Sequence, residues 1–245
     1  MPVRFFAPSA DPVEGRVRLP ADEAHHLTKV LRLRAGAAVA LFDGRGHEWD
    51  GVVETAGRSG VIVAMGAPRA PAGEPPVRVT LGVSLQTGDR METVVREATA
   101  LGAAAIVPLS TGHVAVPARA RRSTEALARW HRVAVASAKQ CGRAVVPAVQ
   151  PVSTPTAVLA AAEAAAERIL MCVEPSRSAA EAASRLGPRP AAALVLVGPE
   201  GGWTEAEVAL ALDRGARLFH LGPRTLRADL APAVALAVLW ASWGW

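Results

Sequence analysis

The chain has 245 residues, 51% hydrophobic and 20% charged, which fits a globular rather than a disordered polypeptide and leaves room for one or two packed domains. Its only two cysteines, Cys141 and Cys172, lie far apart and match no metal or redox spacing, so a reducing cytoplasm is the expected compartment. The pI is about 10.4, and the net charge is +1 over residues 1–72, +5 over 73–150 and −1 over 151–245, a localised excess that points to a polyanionic partner.

Residues 1–15 contain Arg4 and Asp11 but no sustained apolar run, so no signal peptide is expected. Residues 1–70 read as a small β-rich module. Short strands are predicted at Val17–Leu19, Val39–Phe42, Trp49–Val53 and Gly60–Met65, with turn signals such as Asp43-Gly44-Arg45-Gly46 between them. One helix interrupts, Ala21 to Leu33, with Asp22 and Glu23 in its first turn, where the helix dipole favours acids. Residues 71–76 close a Pro/Gly-rich stretch and are expected to form a linker to a second domain over 77–245.

From Val77 the pattern becomes strand–helix alternation, which argues for a mostly parallel sheet covered on both faces, an α/β fold. Strands are predicted at Val77–Leu85, Ala104–Leu109, Ile169–Val173, Leu194–Val197 and Leu218–Leu221. Helices are predicted at Asp89–Leu101, Ser123–Cys141 and Ala157–Ala166. The apolar run 233–245 has 13 residues, too few to cross a bilayer and suited to a packed helix.

Three stretches carry the chemistry. In LVLVGPEGGW, residues 194–203, a buried strand breaks into a glycine-rich turn. The following Thr204-Glu205-Ala206-Glu207 reads as a capping box that starts a helix. Ligands of α/β folds collect outside the carboxyl ends of strands, where this turn lies, although the glycines alone suit equally a turn that only redirects the chain. LGPRTLRADLA, residues 221–231, repeats the logic: strand, Gly-Pro, arginines, then a helix near Leu230 with Asp229 placed as its N-cap. The two loops would wall one pocket, with Arg224 and Arg227 near it. Along the long helix, Arg122, Arg129, Arg132, Lys139 and Arg143 fall within about a 100° arc, a candidate RNA-phosphate face.

Dinucleotide and P-loop fingerprints are absent, as are a GxSxG elbow and paired histidine metal ligands. His25 and His26 sit at a helix start and suit a surface role.

The ordered motifs HLTKVLRLRAG (26–36), LFDGRG (41–46), DRMETVVREATALG (89–102), AKQCGRAVVP (138–147), LVGPEGGWTEAE (196–207) and LGPRTLRADLA (221–231) resemble the bacterial 16S rRNA uracil-N3 methyltransferases, a SPOUT-class family dependent on S-adenosylmethionine. The resemblance implies an N-terminal PUA-like β-barrel that helps bind RNA, a C-terminal domain with a trefoil knot, a homodimer, and the small ribosomal subunit as partner, without metal or membrane. It implies a cofactor pocket of Cys172, Glu174, Gly198, Pro199, Glu200, Gly201, Leu221, Gly222, Arg224, Leu226 and Ala231, with Arg227 catalytic. It further implies RNA contacts from Arg32, Arg122, Arg129, Arg132, Lys139, Gln140 and Arg143. Thr87, Glu97 and Ala100 depart from the family's lysine and KATELG. Ala228 and Leu230 replace two threonines of its LRTETA, while Asp229 keeps a carboxylate. A ribose 2′-O methyltransferase of the same class and a catalytically impaired RNA-binding assembly factor are the alternatives; a dinucleotide oxidoreductase lacks its fingerprint.

Overall fold

The structure is a computed structural model that describes residues 2–57, 59–114, 123–177 and 186–245. The chain divides into two compact units, Met1–Glu74 with Val135–Val146, and Pro75–Ala134 with Pro147–Trp245.

The first unit is a five-stranded sheet of order β1-β3-β4-β5-β2, from Val3–Phe6 (β1), Arg16–Arg18 (β2), Ala38–Phe42 (β3), Glu48–Gly57 (β4) and Gly60–Arg69 (β5). Strand β1 pairs parallel to β3, and the other ladders are antiparallel. Alternation along β4 and β5 turns Val53, Val61 and Val63 into a core with Phe5, Leu27 and Leu41. The predicted helix is shorter than its apolar pattern. Helix α1, Ala21–His25, passes into a widened turn, His26–Val30, where the Leu31 amide donates to the His26 carbonyl at 3.0 Å. Arg32 then adopts φ 54°, and the Leu33 amide returns to Leu27, which stops the helix before Leu33.

Residues 135–146 belong to this unit because Arg4 gathers them. Its guanidinium pairs with Glu48 at 2.8 Å and donates to the carbonyls of Ala138 (2.8 Å) and Arg143 (2.9 Å). Ala138, Ala144 and Val146 pack with Phe42 and Phe6. The stretch expected as a linker is engaged as well: β5 runs to Arg69, and Glu74 is ion-paired to Arg143 at 2.6 Å.

The second unit holds a six-stranded sheet of order β11-β9-β10-β6-β7-β8, with every ladder parallel. Its strands are Arg78–Ser84 (β6), Ala105–Leu109 (β7), Ala148–Val149 (β8), Arg168–Cys172 (β9), Ala192–Val197 (β10) and Arg217–Phe219 (β11). Central β10 is buried at Ala193 through Val197, which is why its sequence is a continuous apolar run rather than an alternating one. The helices are Arg90–Ala100 (α2), Thr124–Cys141 (α3, whose residues from Val135 group with the first unit), Pro155–Ala164 (α4), Glu205–Asp213 (α5) and Ala231–Trp243 (α6). Helix α6 buries Leu236, Leu239 and Trp240, and the Trp240 indole donates to the Leu101 carbonyl at the end of α2. Among the described residues no helix is long and apolar enough to cross a membrane.

Strands β1 and β8 escape prediction because four and two residues carry too little pattern to stand out from a loop.

Candidate functional site

Three loops leave the carboxyl ends of β9, β10 and β11, neighbours in the sheet, and enclose a cleft. Its wall contains Cys172, Val173, Glu174 and Pro175 from the first loop, Val197 to Glu200 with Gly202 and Trp203 from the second, and Leu221, Arg224, Thr225, Leu226, Ala228 and Ala231 from the third. Of the residues expected here, Cys172, Glu174, Gly198, Pro199, Glu200, Leu221, Arg224, Leu226 and Ala231 come together. Gly201 and Gly222 do not line the wall, and Arg227 lies beside it between Leu226 and Ala228.

The second loop is built by its own tryptophan. Trp203 is buried, and its indole N–H donates to the Cys172 carbonyl at 2.9 Å, tying the loop after β10 to the end of β9. That ring covers the Gly198 α-carbon, where a Cβ would meet it at 2.8 Å. Gly202 has φ 70°, and a Cβ there would overlap the Glu174 carboxylate. These two glycines therefore admit the protein's own Trp203 and Glu174. The expected capping box forms: Thr204 accepts from the Glu207 amide at 3.2 Å, and Glu207 accepts from the Thr204 amide at 2.9 Å. The same Glu207 carboxylate takes the Gly112 amide at 2.9 Å, and His113 Nδ1 lies 2.9 Å from the Gly202 carbonyl, so the segment after β7 is fastened to this loop. The sequence reading missed Trp203, Gly112 and His113. The tryptophan directly after GPEGG was the available signal, since a large ring beside glycines needs a place to pack.

The cleft wall carries the Glu174 and Glu200 carboxylates and the Arg224 guanidinium, and its one thiol is held protonated. Burial, and then the Glu174 carboxylate, push the Cys172 thiol up to about 12, so it stays protonated at neutral pH. Glu174 and Glu200 contribute carboxylates, and Glu200 pairs with Arg90 at 3.0 Å. In the third loop the exposed Arg227 guanidinium lies on Asp229, Nε to Oδ1 at 3.1 Å and Nη2 to Oδ2 at 3.0 Å. That bond raises the Arg227 pKa further and lowers that of Asp229. Asp229 does not cap the last helix. Leu230 occupies the N-cap of α6 without a side-chain bond, and the Leu230 and Ala231 amides turn back to the Arg227 carbonyl instead.

The basic arc on α3 does not survive as one surface. The helix ends at Cys141, Gly142 reverses the chain at φ 88°, and Arg143 leaves the helical face to become buried against Glu74. Lys139 pairs with Glu23 at 2.7 Å over the Phe5 ring. Arg129 is exposed and bonded to Glu92 at 2.9 Å. Arg32, Arg132 and Gln140 are exposed. Arg122 lies outside the described residues.

A small-ligand cleft at the carboxyl ends of a parallel sheet, in a chain that begins with a separate, mostly antiparallel β unit, defines an α/β protein of the ligand-dependent enzyme class. Residues 73–240 match the RNA methyltransferase domain family, and residues 19–65 match the RNA methyltransferase PUA domain. The chain is 33% identical to ribosomal RNA small subunit methyltransferase E of a Synechocystis species, over 92% of this chain and 73% of that one. Ribosomal RNA small subunit methyltransferase E of Neisseria gonorrhoeae, solved bound to S-adenosyl methionine, is 30% identical with a TM-score of 0.87, covering 99% of this chain and 98% of that one. A Legionella pneumophila methyltransferase solved with bound cofactor SAM has a TM-score of 0.88 at 25% identity, with coverages of 99% and 98%. The chain belongs to the ribosomal RNA small subunit methyltransferase E family.

Proposed function

We propose that this protein transfers a methyl group from S-adenosylmethionine to N3 of a uridine in 16S rRNA, acting as a homodimer on the small ribosomal subunit. The observation that carries the proposal is the three-loop cleft of β9, β10 and β11 in a chain that matches this family over almost its whole length. Its lining fits the cofactor: Val197, Leu221, Leu226 and Ala231 suit an adenine ring, while the Glu174 and Glu200 carboxylates suit a cationic sulfonium and ammonium.

S-adenosylmethionine supplies an electrophilic methyl group on its sulfonium. Uracil N3 is a poor nucleophile until its proton leaves, after which negative charge spreads onto the flanking carbonyl oxygens. Arg227, at the rim of the cleft, stabilises that developing imide anion through its guanidinium donors. Asp229 holds the planar guanidinium in one orientation through two hydrogen bonds, so less orientational freedom is lost when the base arrives. The closely packed loop beneath, with Trp203 buried against β9, keeps the cofactor end of the cleft dry. Arg32, Arg129, Arg132 and Gln140 contribute RNA contacts. Lys139 and Arg143 serve the interior of the first unit.

Incubation with small ribosomal subunits lacking the modification and with methyl-labelled S-adenosylmethionine tests the reading. Label in 16S rRNA is expected, and its absence under conditions where the protein binds the cofactor sinks it.

A further inference from the structure

Far along the chain from the cofactor loops, the turn Asp43-Gly44-Arg45-Gly46-His47 borders a hollow in the first unit whose opposite wall is the 8–12 turn. The Asp43 carboxylate is almost fully buried and accepts from the Arg45 amide (2.7 Å), Arg45 Nε (3.0 Å), the His47 amide (3.1 Å) and His47 Nδ1 (2.8 Å). One anchored carboxylate thus sets two exposed side chains next to each other. The Nη groups of Arg45 have no protein partner among the described residues and remain available to an acceptor, while His47, whose Nδ1–H is spent on Asp43, leaves Nε2 of the neutral ring as an acceptor.

The turn is rigid. Gly44 has φ 79°, and a Cβ there would meet the Phe6 ring at 2.8 Å, so this position admits only glycine. The Gly44 carbonyl accepts from Val146, and the Gly46 amide donates to Ala144. The His47 ring packs on the buried Trp49 at 5.9 Å between centroids and 31° between planes, which fixes one face and leaves the other outward. Across the hollow, Asp11 spends one carboxylate oxygen on the Val13 amide.

We infer that this hollow is a single-stranded ribonucleotide subsite, in which the Arg45 guanidinium holds a phosphate, the outer face of His47 stacks a base, and Asp11 accepts from a ribose hydroxyl. The inference rests on the rRNA reading and names where on the first unit the RNA strand sits. The free Nη donors of a guanidinium held in place by a buried carboxylate match phosphate oxygens. A histidine backed by tryptophan is a stacking platform of the kind that splayed RNA bases use. A carboxylate on the far wall would repel a bare polyanion, but it accepts well from a 2′-hydroxyl, the group that separates RNA from DNA. The mixed charge of the two walls therefore selects a ribonucleotide over a simple phosphate surface.

The test uses the full chain and two fluorescent dodecamers of one sequence, a single-stranded RNA and its DNA counterpart. The wild type is expected to prefer RNA, and Arg45→Ala and His47→Ala are each expected to weaken RNA binding about tenfold and to shrink the preference. Both side chains are exposed, so folding survives, and an unchanged thermal unfolding transition in each variant verifies it. Equal RNA affinity in wild type and variants, or a wild type indifferent to the sugar, overturns the subsite. Methylation of subunits is scored separately, so a chain that binds RNA in this way yet leaves subunits unmethylated fails the functional proposal alone.

Discussion

Arg227 and Asp229 lie in one plane-to-plane pair, Nε on Oδ1 at 3.1 Å and Nη2 on Oδ2 at 3.0 Å, at the rim of the cofactor cleft. The two-residue spacing places both on a single turn that the Leu230 and Ala231 amides close onto the Arg227 carbonyl. Arg227→Ala is predicted to lower kcat by about 10²–10³, the usual loss when one preorganised donor to a developing anion is removed, with S-adenosylmethionine affinity unchanged. Asp229→Ala is predicted to cost about tenfold in kcat, with substantial rescue by Asp229→Glu, because the carboxylate orients the guanidinium and does not touch the base. Steady-state kinetics with isolated subunits measures both.

Glycine substitutions in the opening loop separate internal packing from ligand contact. Gly202→Ala places a methyl group on the Glu174 carboxylate at a positive φ, and Gly198→Ala drives one into the Trp203 ring. Each is predicted to destabilise by about 1–3 kcal/mol and to weaken cofactor binding. Gly201→Ala finds only ordinary contact with His113 at 3.5 Å and is predicted to leave the melting temperature nearly unchanged. Thermal unfolding of the three variants, with and without cofactor, is the check.

Two arginines of the same predicted basic arc should part company. Arg143 is buried and ion-paired to the half-exposed Glu74, so Arg143→Ala is predicted to cost about 1–3 kcal/mol of stability through lost packing and charge-assisted hydrogen bonds. Arg132 is exposed, and Arg132→Ala is predicted to leave stability within about 0.5 kcal/mol while reducing the salt dependence of RNA binding by about one unit of slope. Denaturant melts and salt titrations of RNA affinity distinguish the two.

Cys172 makes stability depend on alkaline pH. Its thiol is raised from an ordinary 9.0 to about 12, so the folded state resists ionisation more than the unfolded chain does. This contribution is fully present below pH 9 and is lost as pH climbs from about 9 toward about 12. The urea midpoint of the wild type should therefore fall more steeply between pH 8 and pH 10.5 than that of Cys172→Ser. Alkylation of Cys172 at pH 8 should be slow until the protein unfolds.

Much of this architecture is legible in local pattern. The β10 run ending in Gly198 was readable because a fully buried parallel strand writes itself as consecutive branched residues, and the Thr204–Glu207 box because it needs only two side chains three apart. What was not legible depends on distant partners. Arg143 read as a helix-face cation because nothing local reveals that the helix stops at Cys141 or that Glu74 waits for it. Lys139 was misread for the same reason, its partner Glu23 being 116 residues away. Asp229 satisfied every rule for an N-cap and yet bonds Arg227, since two chemically sound partners compete and tertiary geometry chooses. Gly198 lines the cleft while Gly201 and Gly222 do not, and the need for glycine at 198 and 202 comes from Trp203 and Glu174, which only the folded loop brings against them.

The most direct measurement is nucleoside mass spectrometry of 16S rRNA recovered after reaction of the full-length protein with unmodified small subunits and labelled S-adenosylmethionine. The account predicts a single labelled nucleoside, 3-methyluridine, formed by the wild type and reduced by about 10²–10³ in rate with Arg227→Ala. Label on a ribose 2′-oxygen, or wild-type turnover in the Arg227 variant, would contradict it.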